Sequence, residues 1–78
     1  MNKQRRKHLV YLLEKLEEAQ VQLSALAEEE RDYFDNMPEG IQTSEKGEKA
    51  DDIATQLEDI AAYIEEQINE LQCVINEA

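Results

Sequence analysis

The stretch Phe34-Asp35-Asn36-Met37-Pro38-Glu39-Gly40-Ile41-Gln42-Thr43-Ser44 decides the fold. It holds the only proline of the chain and the first of its two glycines. Pro38 cannot continue a helix arriving from upstream, and it pushes Met37 out of the helical region of backbone space. Asp35, Asn36, Gly40, Thr43 and Ser44 are turn and cap formers. On either side lie about thirty residues with no breaker except Gly47 at the very edge. The pattern predicts an all-α fold, an antiparallel two-helix hairpin in one domain over residues 1–78. The first helix is expected over about 3–34, the connector over about 35–43 and the second helix over about 44–76.

Working outward, each flank carries an apolar stripe at helical spacing. Upstream, Leu9, Leu12, Leu16, Ala19, Leu23 and Leu26 recur at alternating intervals of three and four, the pattern of left-handed helix packing. Glu30 and Tyr33 continue the stripe, and Leu13, Gln20, Ala27 and Phe34 flank it. Downstream the stripe is Ile53, Leu57, Ile60, Ile64, Ile68, Leu71 and Ile75. Its repeat is eleven residues, which favours straight or slightly right-handed packing. Thr43 or Ser44 is expected to cap this helix. Glu45, Glu48, Asp51 and Asp52 then sit at the positive end of its dipole. Leu16, Leu23, Leu57, Ile60 and Ile64 are the expected core.

A chain of 78 residues folded this way buries one stripe per helix. That is marginal against the entropy of ordering the backbone. Small scaffolds rely on disulfides, a metal or self-association. Cys73 alone closes no internal disulfide, and it reads as a small buried hydrophobe. Self-association is the expected staple, in a four-helix bundle or a higher homo-oligomer. The expected interface is the open end: Leu9, Val10, Leu12 and Leu13 with Val74 and Ile75, where the sequence is apolar on more than one face.

Nineteen acidic residues face eight basic ones, for a net charge of −11. Lys3, Arg5, Arg6 and Lys7 supply half of the basic residues. Residues 28–52 hold ten acidic and three basic residues. Such an acidic body repels nucleic acid and anionic membranes, so neither is an expected partner. One cysteine, no signal-peptide pattern and no membrane-length apolar run make a cytoplasmic protein the expectation.

The carboxylates do not form a recognisable metal motif. His8 is the only histidine, and the alternating oxygen ligands of a calcium loop are absent. There is no phosphate loop or dinucleotide fingerprint, and no elbow beside His8 or Cys73 to build an oxyanion site. No catalytic residue, metal or cofactor is expected. The strongest candidate for a ligand site is the basic run of Arg5, Arg6 and Lys7 with Tyr11, one helical turn beyond Lys7. Arginine forks and a stacking ring suit a phosphate or nucleotide. The competing reading pairs these cations with Glu66, Glu70 and Glu77 across the hairpin.

The central segment AEEERDYFDNMPEGIQTSEKGEKADD carries a resemblance. Its Phe34-Asp35-Asn36-Met37-Pro38-Glu39 core, with Ser44, Glu45 and Gly47, resembles small acidic helical-hairpin proteins of phages and bacteria, a group that brings no established activity. The resemblance covers the middle third of the chain. It implies a phage or bacterial origin, and with it a bacterial or infected-host cytoplasm, and nothing catalytic. The expected function is non-enzymatic binding, of itself and of a host protein or a small anion. Two alternatives stand beside it. One is a phage counter-defence protein that sequesters a nucleotide signal at the basic end. The other is a DNA mimic whose acidic surface occupies a basic groove of a host protein.

Overall fold

The computed structural model describes residues 1–77. Three helices follow in order: α1 over Lys3–Asp35, α2 over Glu39–Gln42 and α3 over Glu45–Glu77. The two long helices have 33 residues each and pack against each other as an antiparallel hairpin. Among the described residues no helix is long and apolar enough to cross a membrane.

Side chains set the helix boundaries. The Asn2 carboxamide oxygen accepts from the Arg5 backbone N–H at 2.8 Å, capping α1. After Asp35 the chain leaves the helix, and Pro38 opens a single helical turn, α2, inside the expected connector. Gln42, at the end of α2, turns back and donates its side-chain amide to the Phe34 carbonyl at 3.1 Å. That carbonyl is one of the last four of α1, which have no partner within their own helix. Ser44 caps α3: its hydroxyl accepts from the Gly47 N–H at 3.4 Å, while Glu45 and Glu48 occupy the first turn. The expected choice between Thr43 and Ser44 falls on Ser44.

The hairpin seam is a strict seven-residue repeat in both helices. Lettered a to g, the a positions are Leu13, Gln20, Ala27 and Phe34 in α1. In α3 they are Gly47, Ala54, Ala61, Ile68 and Ile75, all buried. Of the d positions, Leu9, Leu23, Glu30, Leu57, Ile64 and Leu71 are half-buried, Ala50 is buried and Leu16 is exposed. This corrects the expected eleven-residue repeat of the second helix, because the seam runs through small residues that a count of large apolar ones passes over. Toward the connector the seam is Ala27, Gly47, Ala50 and Ala54; toward the open end it is Leu13, Ile68 and Ile75. The latter three form the main apolar cluster, with Leu9, Ile64 and Leu71 against it.

The expected core is corrected too. Leu23, Leu57 and Ile64 are only half-buried, and Leu16 and Ile60 remain 39% and 48% exposed. A single partner helix covers the a side of each stripe and leaves the other side open. Leu13 and Ile75, expected at an oligomer interface, instead lie inside the hairpin. Cys73 is exposed rather than buried, since it projects from the side of α3 opposite the seam.

Candidate interaction surface

Two long faces flank the seam. In an antiparallel pair the e positions of both helices share one side and the g positions the other. The e side is polar. Gln20, Ser24 and Arg31 of α1 line a shallow cleft there with Glu58, Ala61 and Glu65 of α3. Arg31 clasps the helices together across it. Its guanidinium donates to both Glu58 carboxylate oxygens, at 3.2 and 3.0 Å, to Asp51 at 2.7 Å and to the Thr55 hydroxyl at 3.1 Å. These bonds engage four of the five guanidinium N–H donors with two carboxylates and a hydroxyl, so the clasp is a structural element rather than a vacant anion site. Asp51, Thr55 and Glu58 lie along one line of α3, four and three residues apart, opposite a lone arginine in an acidic run. That spacing is the signal in the sequence that would have disclosed the clasp, and sequence reasoning missed it.

The hydrogen bonds from Arg31 hold the Glu58 carboxyl below the usual carboxylate range. Donating to Glu58, and then to Asp51, pushes the Arg31 guanidinium further up. A depressed carboxylate contributes stability that is present above its unfolded value and lost as pH falls through its folded one. Like-charge repulsion in a chain of net charge −11 works the other way, easing as the first carboxylates are neutralised. The melting midpoint is therefore expected to rise modestly from about pH 7 to about pH 5 and to fall below the usual carboxylate range. Arg31→Met should keep the rise and flatten the fall. An equally steep acid limb in Arg31→Met would show that the clasp contributes nothing. The Arg31 and Glu58 side chains are 27% and 44% exposed, so the difference is small and screened by salt.

The other face is apolar. Its g positions are Leu12, Ala19, Leu26 and Tyr33 on α1 and Ile53, Ile60 and Val74 on α3, with Gln67 between the last two and Arg5 and Lys46 beginning the two columns; the half-buried d residues form its floor. Leu26, Tyr33 and Ile60 are each about half exposed, at 53%, 51% and 48%. The face is bounded by polar side chains on both long edges and runs the length of the hairpin, whose extents are 58 × 15 × 13 Å. Of the residues expected at an interface, Leu9, Leu12 and Val74 lie on this face, and Val10 lies on the polar one. Leu26, Tyr33, Ile53 and Ile60 belong to the face as well, far from the open end where the interface was expected.

The basic cluster is dispersed. Successive helical residues point 100° apart, so Arg5, Arg6 and Lys7 diverge around α1. Arg6 turns into the seam and donates to the Ile75 carbonyl at 3.0 Å, satisfying one of the last carbonyls of α3. Arg5 borders a shallow cleft of about 410 Å³ at the end of the apolar face, with Met1, His8 and Leu9. Tyr11 is exposed, with the Lys15 ammonium 5.3 Å from its ring centre and His8 6.5 Å away. One chain does not bring Arg5, Arg6, Lys7 and Tyr11 into one pocket. None of the expected pairings with Glu66, Glu70 or Glu77 forms among the described residues. Comparison with protein-family models, curated proteins and solved structures found no match.

Proposed function

We propose that this chain is a non-enzymatic interaction protein that works as a homodimer, a four-helix bundle closed by the apolar g face. The observation that carries this reading is the unpartnered apolar face. Its extent agrees with the total surface. The hairpin exposes 5991 Å², against about 4,900 Å² for a typical folded monomer of 9.0 kDa. The excess of about 1,100 Å² is comparable to the ~800 Å² each partner contributes to a stable interface. The radius of gyration tells the same story: 17.5 Å, against about 11.5 Å for a compact chain of this length. With the apolar faces together, the bundle presents acidic outer faces suited to a basic protein surface. The resemblance of the connector implies an origin in a phage or bacterium.

Sedimentation of the unmodified chain tests the assembly, with a dimer expected at micromolar concentrations. Ile60→Glu places a charge in the centre of the apolar face and should give a monomer or an unfolded chain. Val21→Glu, at a residue 66% exposed and off that face, should leave the dimer intact. An unmodified chain that is monomeric at high micromolar concentration overturns the reading. So does a pair of variants that sediment alike. The outer surface has its own test: a basic partner retained from lysate should be lost on charge reversal across residues 28–52 and kept when Arg5 and Lys7 are neutralised.

A further inference from the structure

The charges bordering the apolar face assign the direction in which two copies lie, an inference that rests on the self-association proposed above. Along the α1 edge the face is bordered by Arg5 and Lys15 toward the open end and by Glu29 toward the connector. The α3 edge runs the other way in space, with Lys49 near the connector and Glu70 and Glu77 near the open end. Each edge therefore begins basic and ends acidic along its own helix. A neighbouring helix meets opposite charge wherever it runs antiparallel.

Two face-to-face arrangements give every helix an antiparallel neighbour. In the first, both connectors lie at the same end and α1 lies on α3 of the second copy. In the second, the connectors lie at opposite ends, with α1 on α1 and α3 on α3. The edges and apolar columns suit both about equally. The ends do not. Residues 28–52, around the connector, hold ten acidic and three basic residues, a net of −7. The open end, residues 1–14 with 64–77, holds five acidic and four basic residues, a net of −1. Coulomb repulsion scales with the product of charges, so two connector ends repel about seven times as strongly as a connector end and an open end. The first arrangement also crowds Lys3, Arg5 and Lys7 of both copies together.

We propose the second arrangement: two hairpins packed head to tail, related by a two-fold axis crossing the middle of the bundle. The axis passes near Ala19, at the midpoint of α1, and Ile60, next to the midpoint of α3. Such an interface is isologous, so a residue on the axis meets its own copy. Away from the axis, Leu12 meets Leu26 of the second copy, and Arg5 reaches its Tyr33, a cation against a ring face.

Cross-linking from single cysteines tests this direction. Cys73→Ser removes the native thiol, and Ala19→Cys and Ile60→Cys are made separately in that background. Each is oxidised alone and as an equal mixture, with mass spectrometry identifying the products. Head-to-tail packing gives disulfide-linked dimers from each variant alone. Connector-to-connector packing gives none from either alone, and only the mixed Ala19→Cys/Ile60→Cys product from the mixture. Sedimentation of the same variants under reducing conditions separates the two inferences. A dimer that yields only the mixed product, or no cross-link, overturns the head-to-tail arrangement and leaves self-association standing. Absence of a dimer in the Ala19→Cys variant and in the unmodified chain overturns both.

Discussion

Leu13→Ala is expected to lower the stability of the protein by about 2–5 kcal/mol, the range for deleting a buried leucine without collapse of the space it leaves. Leu13 is 8% exposed and packs with Ile68 and Ile75, each on the facing helix and also 8% exposed. Among the described residues of one hairpin no second layer of core stands behind this cluster, so closing the gap within the chain takes a shift of α1 toward α3. Small domains have about 5–15 kcal/mol in total, so the loss is a large fraction of the whole. In a chain of this size it corresponds to a fall in melting midpoint on the order of 10 °C or more. Val21→Ala, at an exposed site off the apolar face, should stay within about 0.5 kcal/mol of the parent. A Leu13→Ala midpoint indistinguishable from the parent would mean that the seam does not pass through residue 13.

The contrast between Leu13 and its neighbours shows how far the sequence could be read. Both long helices and the break at Pro38 were legible, because a proline after turn formers has few other uses and the flanks contain almost nothing that opposes a helix. A hydroxyl cap at Thr43 or Ser44 was legible as well, and the structure chose Ser44. The direction each stripe faces was not. Leu12, Leu13, Leu16, Leu23 and Leu26 cover a wide arc of α1, and one partner helix buries only part of it. The helices chose the a side, where Ala27, Ala54 and Ala61 allow close approach. Large apolar residues were thereby left on the g side. A rule that places the bulkiest residues at the centre of the core selects the opposite face. In a hairpin that dimerises, both selections describe a contact: small residues within the chain, large ones between chains.

The candidate site was legible to a lesser degree. An oligomer was expected from the short chain, its lack of a disulfide or metal motif, and its open end, where apolar residues crowd in sequence and the interface was placed. The apolar face left open by the hairpin reaches from that end past the middle of both helices, and its members, spaced seven residues apart and interrupted by Gln67, each look isolated in the linear chain. The dispersal of Arg5, Arg6 and Lys7 follows from helix geometry. The engagement of Arg6 with the Ile75 carbonyl required the register between α1 and α3, which no single helix encodes. The clasp of Arg31 on Asp51, Thr55 and Glu58 depended on that register as well.

Gly47→Ala should destabilise the protein, against the expectation from helix propensity. Gly47 lies in the first turn of α3, where alanine is favoured over glycine by about 1 kcal/mol. Its backbone φ is not positive, so no conformational strain explains a glycine here. Space does. A Cβ at residue 47 would fall inside contact distance of the Ile41 and Gln42 carbonyl oxygens, which are backbone atoms of α2. A flexible side chain could swing aside, but α2 is held on both flanks. Gln42 is tied to the end of α1 through the Phe34 carbonyl, and the Ser44 N–H donates to the Ile41 carbonyl at 3.0 Å. Relief of the clash requires moving the whole turn and loosening these bonds. Overpacking of this kind costs about 1–3 kcal/mol and occasionally more, which exceeds the propensity gain. Gly40 is the internal control. Nothing lies within 4 Å of a Cβ built there, and its φ is also ordinary. Gly40→Ala should therefore stabilise by about 0.4–1 kcal/mol, by restricting the unfolded chain. The same substitution at the two glycines of one chain is thus expected to shift the melting midpoint in opposite directions. A rise in both would show that α2 does not rest on the first turn of α3, and that the connector is held to the hairpin by Pro38 and the caps alone.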